Sequence, residues 1–280
     1  MPDATLRIFS DLHFLEGTCR VQKIDQLRPL LDGADAIILN GDTIDTQNAD
    51  PGGVVTNQLK AFFTGHVPTT FITGNHDPDI SDTHELSLAD GSIWLTHGDV
   101  FFDDLTPWSH GLNEIHRRLQ NAWANVPAHE TANLETRLRV FRQICHGLPR
   151  DHDPCDDSHR SMLMRYWFLL YPPRCTLSLL HTWATMSHRA ARFAAHHRPK
   201  AKFIIFGHTH RSGVWCQHDG RVIINTGTFS APLTAQAVEL QGNQLRIRPI
   251  VQRHGAFQLD PPTKTFALPA PALSPLSANT

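Results

Sequence analysis

Residues 36–45 read Ala36-Ile37-Ile38-Leu39-Asn40-Gly41-Asp42-Thr43-Ile44-Asp45, an apolar run that stops at a glycine and then presents two carboxylates. A run of this length closed by a turn signal predicts a buried strand. Polar residues just past such a strand are where open α/β sheets carry their chemistry. The same grammar recurs along the chain. Apolar runs at Leu6 to Ser10, Thr70 to Thr73, Ile93 to Thr96 and Lys202 to Phe206 lead in turn to four more motifs. These are Asp11-x-His13, Gly74-Asn75-His76-Asp77, His97-Gly98-Asp99 and Gly207-His208-x-His210. Each motif alone is weak, because Asp, Asn and His are common at caps and turns. Five of them in order, each just past a predicted strand, make a specific pattern.

Composition sets the frame for that pattern. With 40% hydrophobic and 19% charged residues and a formal net charge of −2, the 280-residue chain has a globular balance and no overall signal for nucleic acid. Cys19, Cys145, Cys155, Cys175 and Cys216 are odd in number and include no C-x-x-C pair, which argues against a disulfide framework or a structural zinc site. The N-terminus has no basic flank followed by an apolar stretch, and the longest apolar run, Met162 to Tyr171, is broken by Arg165. That run is too short to span a membrane, so the expectation is a cytoplasmic protein. Nineteen histidines stand out, since imidazole is the commonest transition-metal ligand.

Beyond the motif-bearing strands, two hairpins are predicted. Val214 to His218 turns at Asp219-Gly220 into Arg221 to Asn225, and Ala237 to Leu240 turns at Gly242 or Asn243 into Leu245 to Ile250. Between Leu105 and Lys200 the apolar residues change to helical spacing in four stretches: Leu112 to Trp123, Thr131 to Gly147, Ser158 to Leu170 and Thr176 to His196. This is read as a helical cap, residues 105–200, inserted into a core made of residues 1–104 and 201–258. Residues 259–280, rich in Pro, Ala, Ser and Thr, are read as a disordered tail.

The motif residues suit a binuclear divalent site. Imidazole nitrogens with carboxylate and amide oxygens, and no thiolate, match Mn, Fe or Zn better than a sulfur-preferring ion. Two ions about 3.5–4 Å apart clamp a phosphoryl group and lower the pKa of a water. A carboxylate serving both is then required, and Asp42, in the middle of the ligand order, is the candidate. His76 has the right titration range to protonate a leaving oxygen, with Asp45 or Asp77 available to hold its tautomer. Gly41, Gly74, Gly98 and Gly207 are read as turn glycines that let the chain approach the ions.

Together the five motifs resemble the calcineurin-like metallophosphoesterase family. The resemblance implies a four-layer α/β/β/α sandwich and two metal ions, manganese foremost. It implies one ion on Asp11, His13, Asp42 and His210, and the other on Asp42, Asn75, His97 and His208. It also implies that His76 donates the proton with Asp45 as its supporting acid, and that Asn225 to Thr228 closes the site.

The insertion carries 13 basic residues against 7 acidic ones, whereas the remainder carries 12 against 20. A basic cap over an acidic core fits an anionic substrate, and Met162 to Leu170 with Trp123 and Trp183 suggests an apolar cleft for acyl chains or peripheral contact with a membrane. Within the family, such a cap and the run His97-Gly98-Asp99 followed by Asp103-Asp104 resemble the UDP-2,3-diacylglucosamine pyrophosphatases, except that His76 stands where that branch has arginine. The expectation is hydrolysis of a phosphodiester or pyrophosphate bond in a nucleotide- or lipid-linked substrate. A phosphomonoesterase or protein phosphatase and a metal-stabilised scaffold without turnover are the alternatives.

Overall fold

The computed structural model describes residues 4–46, 50, 52–148 and 173–269. Strands β1 (Thr5–Phe9), β2 (Ala36–Asn40) and β3 (Thr69–Ile72) run parallel, with Ile8 opposite Ile38 and Ile38 opposite Thr70. On the other side of β1 the first sheet continues antiparallel through β9 (Ala235–Gln241), β10 (Gln244–Arg253) and β11 (Ala256–Leu259), and β12 (Lys264–Ala267) also pairs with β10. The second sheet has the order β4 (Glu85–Leu88), β5 (Ile93–Thr96), β6 (Phe203–Phe206), β8 (Val222–Asn225) and β7 (Gly213–Cys216). Within it β5, β6 and β8 are parallel.

Period-two alternation distributes the strand residues among three apolar layers. Leu6, Ile8, Ile38 and Ile72 of the first sheet meet Ile93, Leu95, Phe203, Ile205 and Ile224 of the second in a core between the sheets. The intervening residues Phe9, Ile37, Leu39 and Phe71 face the other way, onto Leu59 and Phe63 of α1 (Val54–His66). Trp94, Ile204, Phe206 and Ile223 face outward from the second sheet. They pack against Phe141 of α3 (Leu134–Cys145) and Met186, Ala190 and Ala194 of α4 (Pro173–His197). Helix, sheet, sheet and helix therefore stack in four layers, the expected sandwich. Both predicted hairpins form, as β7–β8 and β9–β10.

Three of the four expected helical stretches are present, as α2 (Leu112–Ala124), α3 and α4, while Ser158 to Leu170 lies outside the described residues. Asn133 caps α3, its side-chain oxygen accepting from the N–H groups of Glu135 and Thr136. The insertion and the core share one apolar cluster, because α3 and α4 supply the outer layer of the second sheet. The motif acids beyond His97 fasten this contact. Asp99 pairs with Arg142 of α3 in the interior, Asp103 lies 3.0 Å from Arg137, and Asp104 lies 2.8 Å from His116.

Two expectations are corrected. The segment 259–280 is not a tail from its first residue: Leu259 ends β11, Lys264–Ala267 forms β12, and Leu268 is buried in the core between the sheets. Alternate residues carried it there, with Phe266 packing against Phe203 at 5.8 Å. The second is an omission: helix α1 went unread, although Leu59 and Phe63 are buried and Val55 and Phe62 pack partly buried against the same cluster.

Candidate metal centre

All seven candidate ligands follow the C-terminal ends of parallel strands, and register brings those ends together. Asp11 and His13 follow β1, Asp42 follows β2, Asn75 follows β3, His97 follows β5, and His208 and His210 follow β6. Asp11, His13, Asp42, His208 and His210 adopt left-handed backbone, with φ of 54°, 48°, 51°, 61° and 59°. Asp and His tolerate this region better than most residues, at a cost on the order of 1 kcal/mol each. Glycine is required for close approach at two positions. A Cβ on Gly207 would overlap Ser10 Oγ and Asp11 Oδ2, and one on Gly74 would overlap the Asp42 carboxylate and backbone.

The ligands form two adjoining sets, Asp11-His13-Asp42-His210 and Asp42-His97-His208. In the first, His13 Nε2 lies 2.9 Å from His210 Nε2 and 3.8 Å from Asp42 Oδ2, and His210 Nε2 lies 3.2 Å from Asp11 Oδ1. In the second, His97 Nε2 lies 3.1 Å from the same Asp42 Oδ2, and Asn75 Oδ1 lies 3.1 Å from His97 Nε2 and 2.9 Å from His208 Nδ1. One oxygen of Asp42 thus faces both sets.

The donor set fits a pair of divalent cations by a test internal to the site. His97 Nδ1 lies 3.1 Å from the Asn40 carbonyl oxygen and His208 Nε2 lies 2.9 Å from that of Leu105. Both carbonyls can only accept, so each ring donates its proton there and turns the lone pair of its other nitrogen inward. Those lone pairs converge with Asn75 Oδ1 and Asp42 Oδ2, an arrangement that is repulsive until a cation is shared among them. Burial, together with neighbouring His97, pushes His208 down to about 3, which keeps its imidazole in the neutral form that ligates. His13 shows the complementary case. Burial opposes its charge, but Glu16 and Asp11 raise it to about 10, and this negative field attracts a metal ion at Nε2 in competition with the proton.

Glu16 is the functional residue that the sequence reading missed. Its Oε1 lies 2.7 Å from His13 Nδ1 and 3.2 Å from His76 Nδ1, whereas Asp45 Oδ2, the expected support of His76, lies 3.8 Å away. The available signal was the spacing His13-x-x-Glu16 in a tight turn, where the Glu16 N–H bonds back to the His13 carbonyl. Asp77, the other expected support, instead accepts the N–H groups of Asp42, Thr43 and Gly74 and clamps two ligand loops together. The turn Asn225 to Thr228 does reach the site. Asn225 donates to the Gly207 carbonyl at 2.7 Å and to Thr209 Oγ1 at 2.8 Å, and Thr228 Oγ1 donates to the Asp11 carbonyl at 3.0 Å.

Replacing Glu16 by Ala should lower metal affinity roughly 10- to 100-fold, the usual cost of losing the partner that orients a ligating imidazole. Titration of the apoprotein with Mn(II) measures it, and an unchanged affinity would remove Glu16 from the centre.

His76 sits beside the first set, its ring centroid 4.9 Å from that of His13 and its side chain 32% exposed. Against the opposing effect of burial, the carboxylates of Asp42, Glu16 and Asp45 hold it well above its ordinary value. With Nδ1 turned to the carboxylates, Nε2 is the atom left for a substrate.

Comparison with known proteins bears on this geometry. The chain is similar to a dimetal phosphatase from Danio rerio, with 14% identity, a TM-score of 0.46, and coverage of 89% of this chain and 96% of that one. It is also similar to vacuolar protein sorting 29 from Cryptosporidium parvum, with 15% identity, a TM-score of 0.44, and coverage of 95% and 100%. Vps29 from Chaetomium thermophilum gives 12% identity, a TM-score of 0.42, and coverage of 98% and 99%. No curated protein matches the chain in sequence. The pattern of the calcineurin-like phosphoesterases matches residues 4–212, a span that runs through every candidate ligand from Asp11 to His210. The chain belongs to the calcineurin-like phosphoesterase family.

Proposed function

We propose that the protein is a two-metal phosphoesterase that hydrolyses a phosphodiester or pyrophosphate bond. The observation that carries this reading is Asp42 Oδ2, which faces both nitrogen sets at once, with His76 alongside. Two divalent ions, manganese by preference, would polarise the phosphoryl oxygens and lower the pKa of the attacking water. The chain's own residues do the rest. Asp11, His13, Asp42 and His210 would hold one ion, and Asp42, Asn75, His97 and His208 the other. His76 Nε2 donates a proton to the departing oxygen, while Glu16 and Asp45 fix its ring through Nδ1.

The substrate we favour is nucleotide- or lipid-linked, a UDP-diacylglucosamine-like pyrophosphate, on the strength of the helical insertion and the His97-Gly98-Asp99 run with Asp103-Asp104. A phosphomonoesterase is the second reading, supported by His76 beside its carboxylate partners Glu16 and Asp45, since a monoester alkoxide needs a proton most. Among the described residues no helix is long and apolar enough to cross a membrane. The test is a panel of a monoester, a diester, and UDP-sugar pyrophosphates with and without acyl chains, assayed with Mn(II). Preferential turnover of the acylated pyrophosphate is expected. Preference for the monoester would install the second reading, and no turnover of any would sink both in favour of a scaffold.

A further inference from the structure

A groove of about 300 Å³ opens between α3, α4 and the loop after β5. It is lined by Arg137, Arg189, Arg192, His196 and His197, with Phe101 and Phe193 also in its wall. One carboxylate lines it, Asp103, and Arg137 engages that carboxylate at 3.0 Å. Arg137 is further committed to the carbonyls of Val100 and Phe102, so its role is to build the wall.

The remaining arginines of the groove are Arg189 and Arg192. Arg189 donates only to Thr185 Oγ1 at 3.3 Å and lies over the Phe102 ring at 5.8 Å, and Arg192 makes no ion pair among the described residues. Arg189, Arg192 and His196 are spaced three and four residues apart, so they share one face of α4 at about 5–6 Å intervals. Among the described residues no ion pair offsets the repulsion between Arg189 and Arg192. Burial and then the neighbouring His196, Arg137 and Arg198 push the imidazole of His197 down. Natural surfaces intersperse charges of both signs, and a concave run of one sign attracts counter-ions. Guanidinium groups fit phosphate oxygens as a fork.

We propose that this groove is an anion site separate from the metal centre, and that it takes a diphosphate group. The interval between Arg189 and Arg192 places one guanidinium on each of two linked phosphates, with His196 at the end of the row. A single monophosphate would reach only part of it. The site is distinct from the metal centre in its residues, since none of the seven candidate ligands lines the groove, although Arg189 and His208 each lie 5.8 Å from the Phe102 ring.

The test is calorimetric binding of inorganic pyrophosphate to the full chain in EDTA, which removes competition from bound metal. Wild type and Asp42→Asn should bind equally, and Arg189→Ala/Arg192→Ala should bind at least ~10-fold more weakly, as expected for two charge-assisted contacts. Arg174→Ala, which removes an exposed arginine at the other end of α4, should leave binding unchanged. Three results would each overturn the proposal: no binding by wild type in EDTA, an affinity indifferent to the double substitution, or an equal loss with Arg174→Ala.

Discussion

Asp42→Asn is expected to lower the metal content from two ions per chain to one or none, and to reduce kcat by more than the ~100-fold that loss of an orienting partner costs. The reason lies in the two oxygens of this carboxylate. Oδ1 accepts the His76 N–H at 2.9 Å, a bond that asparagine can keep through its carbonyl oxygen. Oδ2 is then replaced by an amide NH2 at the point that faces both His13 Nε2 and His97 Nε2. A neutral donor there cannot bridge two cations. The loop keeps its shape because Asp77 continues to accept the N–H groups of Asp42 and Thr43. Metal analysis of the purified variant, with activity at saturating Mn(II), measures both effects. Retention of two ions would refute the bridging role.

His76→Ala should leave the metal content unchanged and lower kcat by roughly 10²- to 10⁴-fold on a substrate with an alkyl leaving group. The effect is expected to shrink to a few-fold on a nitrophenyl ester, whose leaving oxygen departs without a proton. This contrast separates a proton donor from a structural residue, which would slow both substrates alike. It follows from the position of His76, one-third exposed beside the ligand sets, with Nδ1 held by Glu16 and Asp45. An equal loss on the two substrates, or the loss of a metal ion, would remove the assignment.

Much of this centre was legible before any fold was known. Asp11, His13, Asp42, Asn75, His97, His208 and His210 each follow a short apolar run, and strand ends are a local property that sequence spacing encodes. Local spacing also misled. The tail composition of residues 259–280 concealed β12, whose place depends on pairing with Arg246 and Leu245 in β10. Spacing was also incomplete: Asp45 does lie beside His76, at 3.8 Å, but Glu16 is nearer, through a turn that brings it under both His13 and His76.

By itself, then, the sequence determined the identity and order of the candidate ligands, the strands that precede them and the chemistry that their nitrogen and oxygen atoms can perform. Tertiary structure alone decided the rest. It turned the lone pairs of His97 and His208 inward by placing the Asn40 and Leu105 carbonyls behind them, and it set one oxygen of Asp42 between two groups of imidazoles. It also fused the helical insertion to the second sheet and set Arg189 and Arg192 of α4 along one groove. The division has a physical cause. Apolar periodicity and turn chemistry act between neighbours in the chain, whereas convergence of lone pairs and charges depends on distances between residues as far apart as Asp11 and His210, which only the packing of the two sheets sets.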